Sequence, residues 1–346
     1  MSKKVKIANI FIGGGEKTAI QSMSTFKAAD IKNAVMQTEQ VKQAGCDIFR
    51  FSVTDKQDAK SFCLIKKEVQ MPLVADIHFD YKLALCAIDG GADKIRINPG
   101  NIGGENNIKE VASALKTNHI PVRVGSNSGS VEKEYLKKYG LSAAALAESA
   151  LDKVHKLEKY GVEDIVISVK ASSVPLTIKA YEYLNDKTDY PLHLGVTEAG
   201  TEYNGIIKNS VAMGALLSKG IGDTVRVSLS ADPIREVIAA KGILKALEIE
   251  KNYANVVACP TCGRCEWNCM DFAAKVENYV KNVKKPIKIA VMGCVVNGPG
   301  EAADADLGVA GAKDGCVIFS KGKILKTVKE VELEKEFFAE IDKCLL

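Results

Sequence analysis

Short β-rich apolar runs alternate with longer amphipathic stretches from about residue 18 to residue 250. The runs predict strands at 18–24, 47–53, 72–79, 94–99, 121–127, 164–170, 191–197 and 223–230. Between them, apolar residues spaced for one helical face predict helices that include 30–44, 80–89, 142–160, 205–218 and 232–247. Ser142 is placed to cap one helix, and Asp232 followed by Pro233 opens another. Strand–helix alternation implies parallel βα units. Eight strands, at roughly 28 residues per unit, fit a closed (β/α)8 TIM barrel, whereas a doubly wound open sheet normally uses fewer. After Leu247 the pattern turns α+β: strands at 256–258, 287–292, 307–310, 316–320 and 324–328, with helices at 271–280 and from Glu332 onward. The fold class is therefore α/β, a TIM barrel over residues 1–252 followed by a smaller α+β domain over 253–346.

Period two puts alternate strand residues on one face. Near the C-terminal ends, one face carries Arg50 and Ser52, Asp76 and His78, Arg96 and Asn98, Arg123 and Asn127, Ser168 and Lys170, His193 and Thr197, and Arg226 and Ser228. The other face carries Phe49, Phe51, Ile77, Ile95, Ile97, Val122, Val124, Val225 and Val227, suited to packing under helices. Seven strands thus send polar side chains to one barrel mouth, where active sites of this architecture sit.

Composition sharpens this picture. The 346 residues are 47% apolar and 26% charged, which excludes disordered and collagen-like classes. No run approaches the ~18 apolar residues of a membrane span, and the N-terminal apolar run stops at Asn9, too early for a signal peptide, so a cytoplasmic chain is expected. Aromatics at 6% make single-stranded nucleic acid a poor ligand. The net charge of +4 says little, but only six residues are arginine, and four of them are on the inward face. Four Arg and Lys170 against Asp76 would carry a large desolvation penalty unless an anion visits. Guanidinium forks grip phosphate bidentately, so the mouth reads as a receptor for a small anion with more than one phosphate. No Walker loop or G-x-G-x-x-G argues for a nucleotide, and Gly13-Gly14-Gly15 reads as a turn.

Four of the ten cysteines crowd into Cys259-Pro-Thr-Cys262-Gly-Arg-Cys265-Glu-Trp-Asn-Cys269. In a cytoplasmic chain such clustering points to zinc or an iron–sulfur cluster, not disulfides. The spacing C-x2-C-x2-C-x3-C matches the bacterial ferredoxin pattern, except that Met270 stands where that pattern has Pro and there is one run, not two. Radical S-adenosylmethionine spacing, C-x3-C-x2-C, is absent. A second count takes Cys259, Cys262, Cys294 and Glu301, the last two flanking the turn Asn297-Gly298-Pro299-Gly300. A carboxylate among thiolates is a hard, exchangeable ligand, and an iron so held can open for substrate.

The chain resembles the 4-hydroxy-3-methylbut-2-enyl diphosphate synthases, in their bacterial two-domain form. The resemblance is carried by Ile20-Gln21-Ser22-Met23, Asp76-Ile77-His78-Phe79, Lys94-Ile95-Arg96-Ile97-Asn98-Pro99-Gly100-Asn101-Ile102-Gly103, His193-Leu194-Gly195-Val196-Thr197-Glu198-Ala199-Gly200, Asp223-Thr224-Val225-Arg226-Val227-Ser228 and the segment from Gly293 to Glu301. It implies one [4Fe–4S] cluster on Cys259, Cys262, Cys294 and Glu301. It also implies phosphate contacts from Arg50, Arg96, Arg123, Lys170 and Arg226, with Asp76, Asn127, Glu198, Ser228 and Asn297 nearer the sugar-derived part. Cys265 and Cys269 fall outside the family's C-P-x-C-x-R pattern, and Ser24-Thr25-Phe26-Lys27 departs from its Thr/Asn-rich entry motif.

The implied reaction is reductive ring opening of 2-C-methyl-D-erythritol 2,4-cyclodiphosphate to 4-hydroxy-3-methylbut-2-enyl diphosphate, with Glu198 as proton donor or relay and a ferredoxin or flavodoxin as electron source. Geometry adds one expectation. The helix at 232–247 runs back from the mouth for sixteen residues, about 24 Å. It leaves the second domain attached at the far end of its own barrel, so a head-to-tail homodimer with a shared site is expected. Two rival classes are an electron-transfer or redox-sensing protein, which leaves the arginines unexplained, and a corrinoid- or pterin-dependent methyltransferase, which leaves Glu301 unexplained.

Overall fold

Asp and Ser caps start most of the barrel helices, and β-branched runs fill its strands. The computed structural model describes residues 1–265, 267–296 and 302–346, and the chain divides into two compact units, Met1–Ile249 and Glu250–Leu346. The cut expected after residue 252 falls three residues into the second unit. No helix of the described residues is long and apolar enough to cross a membrane.

The first unit opens with an antiparallel hairpin, β1 (Val5–Ile7) and β2 (Ile10–Ile12). Eight strands follow: β3 (Ala19–Met23), β4 (Ile48–Val53), β5 (Leu73–Ile77), β6 (Lys94–Arg96), β7 (Val122–Asn127), β8 (Ile165–Lys170), β9 (His193–Leu194) and β10 (Thr224–Val225). They alternate with α1 (Ile31–Ala44), α2 (Lys56–Glu68), α3 (Tyr81–Asp89), α4 (Glu105–Thr117), α5 (Lys133–Tyr139), α6 (Ala143–Glu158), α7 (Val174–Asn185), α8 (Glu202–Leu217) and α9 (Pro233–Ala246). The sheet runs β8-β7-β6-β5-β4-β3-β10-β9, every pair parallel. A parallel bridge from Ile167 to Leu192 joins its two ends. The expected barrel is therefore present, closed at its last seam by a single bridge.

Local chemistry explains the elements. The side chains of Asp30, Asp55, Asp80, Ser142, Ser173 and Asp232 each accept a first-turn N–H, which satisfies donors a helix otherwise leaves open. The outward strand face (Phe49, Phe51, Ile95, Ile97, Val122, Val124, Val225, Val227) packs into one core with the helices, as alternation predicts. The hairpin was not expected. Its Val5, Ile7 and Ile12 cover Ala19, Ile48, Val74 and Val166 at the strands' starting ends, plugging the barrel floor. Gly13, at φ +70°, turns the chain there, and a Cβ would fall 2.0 Å from the Lys3 carbonyl oxygen.

Three strands are markedly shorter than expected: 94–99 stops at Arg96 in β6, and 191–197 and 223–230 shrink to β9 and β10. Beyond β9 and β10 the chain is tied instead to Asn209, buried on α8: its amide oxygen accepts the Val196 N–H (3.4 Å), and its nitrogen donates to the Ser228 carbonyl (3.4 Å) and to the Gly205 carbonyl of its own helix (2.8 Å).

The second unit contains β11 (Ala254–Ala258), α10 (Cys269–Val280), β12 (Ile287–Met292), β13 (Leu307–Ala312), β14 (Gly315–Ser320), β15 (Lys323–Val328) and α11 (Glu330–Leu345). The sheet order is sequential, parallel through β11-β12-β13 and antiparallel through β13-β14-β15. Phe272, Val276, Phe337 and Ile341 pack the two helices onto Ile289, Val291, Val309 and Ile318. This is the α+β arrangement expected.

Candidate functional site: a cationic barrel mouth and a thiol loop

Parallel strands end together, so their inward residues meet at one mouth. Asp76 on β5 is central, 3.0 Å from the Arg96 Nη1, 3.6 Å from the Arg50 Nε and 3.8 Å from the His78 Nε2. Burial alone would raise its carboxyl, but the guanidiniums of Arg50, Arg96 and Arg123 outweigh that and hold it below the ordinary range. Burial lowers Arg50 to about 10 against the pull of Asp76. Burial, then the surrounding guanidiniums, pushes Arg123 and Lys170 well down. Arg123 donates to the Ser168 hydroxyl at 3.4 Å. Lys170 has no ion-pair partner among the described residues, and its ammonium lies 2.7 Å from where a Cβ on Gly195 would stand.

Strand pleating places the layer beneath. Lys94, fully buried, donates to the Gln21 Oε1 at 3.1 Å. His193 bonds the Thr224 hydroxyl through Nδ1 at 2.7 Å, and burial and the cations above keep its ring neutral. Arg226 lies just past β10, its N–H on the Leu194 carbonyl at 3.0 Å. Its Nη1 donates to Ser228 at 2.6 Å and its Nη2 to Glu236 at 2.9 Å.

One feature fits the expected anion. The Nε–H groups of Arg50, Arg123 and Arg226 are buried without a hydrogen-bond partner, as are the His193 Nε2 and the Gln21 Nε2. Each unpaired buried donor costs about 1–3 kcal/mol. Three such donors on arginines from different strands suit an oxygen-rich anion that several guanidiniums share.

The other expected mouth residues are placed as follows. Asn127 ends β7, and its N–H donates to the Ser130 hydroxyl at 3.2 Å. Glu198, exposed in the β9–α8 loop, is held at φ +53°. That left-handed conformation is uncommon for a residue with a Cβ and is concentrated at functional sites. Three residues of the site were given no role in the sequence reading. Lys94 and Gln21 continue the inward alternation one layer down. Glu236 betrays itself as a charge among the buried positions of α9, with Pro233, Val237, Ala240, Ile243 and Leu244.

The second unit positions the cysteines by the same strand-end logic. β11 and β12 are parallel neighbours with Ala258 opposite Val291, so Cys259 just after one and Cys294 just after the other leave the sheet at the same edge. The Cys259 N–H donates to the Val291 carbonyl at 2.9 Å. Cys262 is exposed, and its thiol is lowered by the Arg264 backbone N–H and then by the guanidinium. Arg264 in turn holds its proton more tightly through its bond to Cys262 and the fields of Cys262, Cys294 and Cys259. Among the described residues no group of three His, Cys, Asp or Glu side chains is arranged to hold a metal ion, and Cys259, Cys262 and Cys294 all act on the Arg264 guanidinium. Glu301 and Asn297, the remaining members of the expected set, lie outside the described residues.

The donor chemistry still fits a thiophilic metal: three cysteines at a strand and loop edge, one with thiolate-favouring neighbours. Cys269 behaves differently. It belongs to the core beside Phe272, and burial, then the neighbouring thiols, pushes it up to about 12. Cys265 donates to the Trp267 carbonyl at 3.2 Å, and Trp267 donates to the Met292 carbonyl at 3.2 Å. Beside them a cavity of about 650 Å3 is lined by Arg264, Trp267, Gly293, Cys294, Lys313 and Glu330 among others.

Known proteins resemble both units. Solved structures resemble the fold at low identity. Dihydropteroate synthase from Yersinia pestis matches at TM-score 0.51 and 9% identity, over 72% of this chain and 98% of that one. The N-acetylneuraminic acid synthetase of Leptospira borgpetersenii serovar Hardjo-bovis matches at TM-score 0.51 and 14% identity, over 82% and 99%. Sequence relatives are far nearer. The 4-hydroxy-3-methylbut-2-en-1-yl diphosphate synthase (flavodoxin) of Caldanaerobacter subterraneus subsp. tengcongensis is 52% identical over 99% of this chain and 97% of its own. The protein of the same name from Geobacillus thermodenitrificans is 49% identical over 99% and 92%. Residues 2–241 match the GcpE TIM-barrel domain and residues 255–343 the GcpE protein C-terminal domain. With both domains matched in order and full-length relatives at about half identity, the chain belongs to the GcpE family.

Proposed function

We propose that the chain catalyses the reaction for which its relatives are named, opening 2-C-methyl-D-erythritol 2,4-cyclodiphosphate reductively to 4-hydroxy-3-methylbut-2-enyl diphosphate. Two electrons and two protons enter, the ring C–O bond to phosphate breaks, and one hydroxyl leaves as water. The observation that carries this reading is the mouth, where three arginines keep buried Nε–H donors that make no hydrogen bond within the protein. Arg50, Arg96, Arg123, Lys170 and Arg226 hold the diphosphate and stabilise the ring oxygen as it becomes a phosphate oxygen. Asp76 orients Arg50 and Arg96, and Asn127, Ser228 and Asn297 serve the carbon skeleton. Glu198, pinned by its backbone, is the group that delivers or relays a proton.

Cys259, Cys262, Cys294 and Glu301 would hold a [4Fe–4S] cluster. Such a cluster supplies electrons one at a time at low potential. Flavodoxin, which the relatives' names carry, is the favoured donor, with ferredoxin the alternative, and the chain works in the cytoplasm. The cofactor assignment is checked by iron and acid-labile sulfide per chain. C262S and C294S each lower both, while C269A leaves them at the wild-type value. A C269A chain stripped of iron would point to the ferredoxin-like set.

The subunits are proposed to pair head to tail, one barrel mouth with its partner's thiol loop. The substrate reading is tested by calorimetric titration of the full chain. The cyclic diphosphate binds and its phosphate-free polyol does not, and R123A loses the binding. Equal binding of both compounds sinks the reading.

A further inference from the structure

Glu236 is 3% exposed, one turn into α9 and on that helix's core-facing side. A charge at such a position costs several kcal/mol unless it is paired, and its partners are specific. Oε1 accepts from the Arg226 Nη2 at 2.9 Å and from the Leu229 N–H at 3.0 Å, and Oε2 accepts from the Ser22 hydroxyl at 2.8 Å. The Ser228 hydroxyl takes a further Arg226 donor, at 2.6 Å. Arg226 is thus clamped from two sides, and its buried Nε–H has no partner. A clamped guanidinium presents that donor in one direction at little entropic cost on binding.

We infer that Glu236 is a positioning residue for anion binding: from behind the barrel wall it fixes the plane of Arg226 so that the free Nε–H meets a phosphoryl oxygen. The inference rests on the reading of the mouth as a diphosphate site. Glu236 is not a catalytic residue, because Arg226 stands between it and the ligand. Ser22 on β3 lets the same carboxylate pin the β3–β10 seam, so a structural role and a positioning role must be told apart.

The test is a double-mutant cycle on the full-length, cluster-loaded enzyme with the cyclic diphosphate as substrate. E236Q takes the charge out of the Arg226 bond: its one carbonyl oxygen stays with Arg226 and Leu229, and its amide NH2 donates to the Ser22 hydroxyl where the carboxylate accepted. KM is expected to rise about tenfold, the scale of one charged hydrogen bond, with kcat within about twofold. In an R226M background the same change adds nothing to KM, because there is no guanidinium left to orient. An unchanged KM, or an equal rise in both backgrounds, overturns the inference. If E236Q does not fold, E236D with R226M closes a second cycle: the shorter side chain keeps the charge but withdraws it from Arg226, and its KM rise is expected to vanish in the R226M background. Wild-type enzyme that fails to turn over the substrate would instead defeat the reading of the site and leave these comparisons unmade.

Discussion

At the scale of single residues, the mouth is defined by cations that cannot all be satisfied by the protein. Burial, then neighbouring guanidiniums, depresses Lys94 and Lys170 well below 10.5, and burial, then the Lys170 ammonium and Arg123, depresses His193 well below 6.5. A diphosphate reverses the balance by favouring the charged forms, so binding takes up protons. Titration calorimetry in buffers of different ionisation enthalpy reads that uptake, and proton release would contradict it. The same shifts have a sign in stability. The unfolded chain protonates His193 near 6.5 while the folded one keeps it neutral. Stability is therefore lost as pH falls through 6.5, and a pH series of Tm values shows a shallower fall for H193N. Glu198 acts differently. E198Q keeps substrate affinity and cluster content and lowers turnover, by about 100-fold or more if it is the proton source. Unchanged turnover removes it from the chemistry. Most mouth residues were legible because alternation alone sorts Arg50, Asp76, Arg96 and Arg123 from Phe49, Phe51, Ile77 and Val122. Glu236 was not, because its partners come from β3 and from the segment after β10, and no strand pattern includes it.

Elements with strong local signals were legible and those built by tertiary contacts were not. β4, β7 and β12 match their apolar runs to within a residue. β9 and β10 do not: past their ends the Val196 N–H and the Ser228 carbonyl bond the Asn209 amide, a tertiary contact that no local pattern announces. N209A leaves the Val196 N–H and two carbonyls without that partner and is expected to destabilise the barrel by about 1–3 kcal/mol. Chemical denaturation of the full chain checks this, and an unchanged midpoint would show that the strand ends do not depend on the amide. The β1–β2 hairpin was missed because two three-residue strands carry too short an alternation, and only their contact with Ile48, Val74 and Val166 gives them a function.

At the scale of the whole molecule, few arginines and many cysteines turn out to be informative for separate reasons. Four of the six arginines collect where eight parallel strands end, and Cys259 and Cys294 where two parallel strands end in the second unit. Both placements follow from one rule, that residues after neighbouring parallel strands share an edge. The proposed sharing of these parts between subunits is checked by mixing C294S chains with R96A chains: each is inactive alone, and the mixture regains part of the activity. No regained activity refutes a shared site. The measurement that bears most directly on the central claim is a single turnover. The cluster-loaded full chain is reduced without oxygen and given 2-C-methyl-D-erythritol 2,4-cyclodiphosphate, and the phosphorus-containing products are followed by NMR. The account predicts conversion to linear 4-hydroxy-3-methylbut-2-enyl diphosphate, lost in R123A and in C294S. Recovery of the cyclic diphosphate unchanged from reduced, cluster-loaded wild-type protein would contradict it.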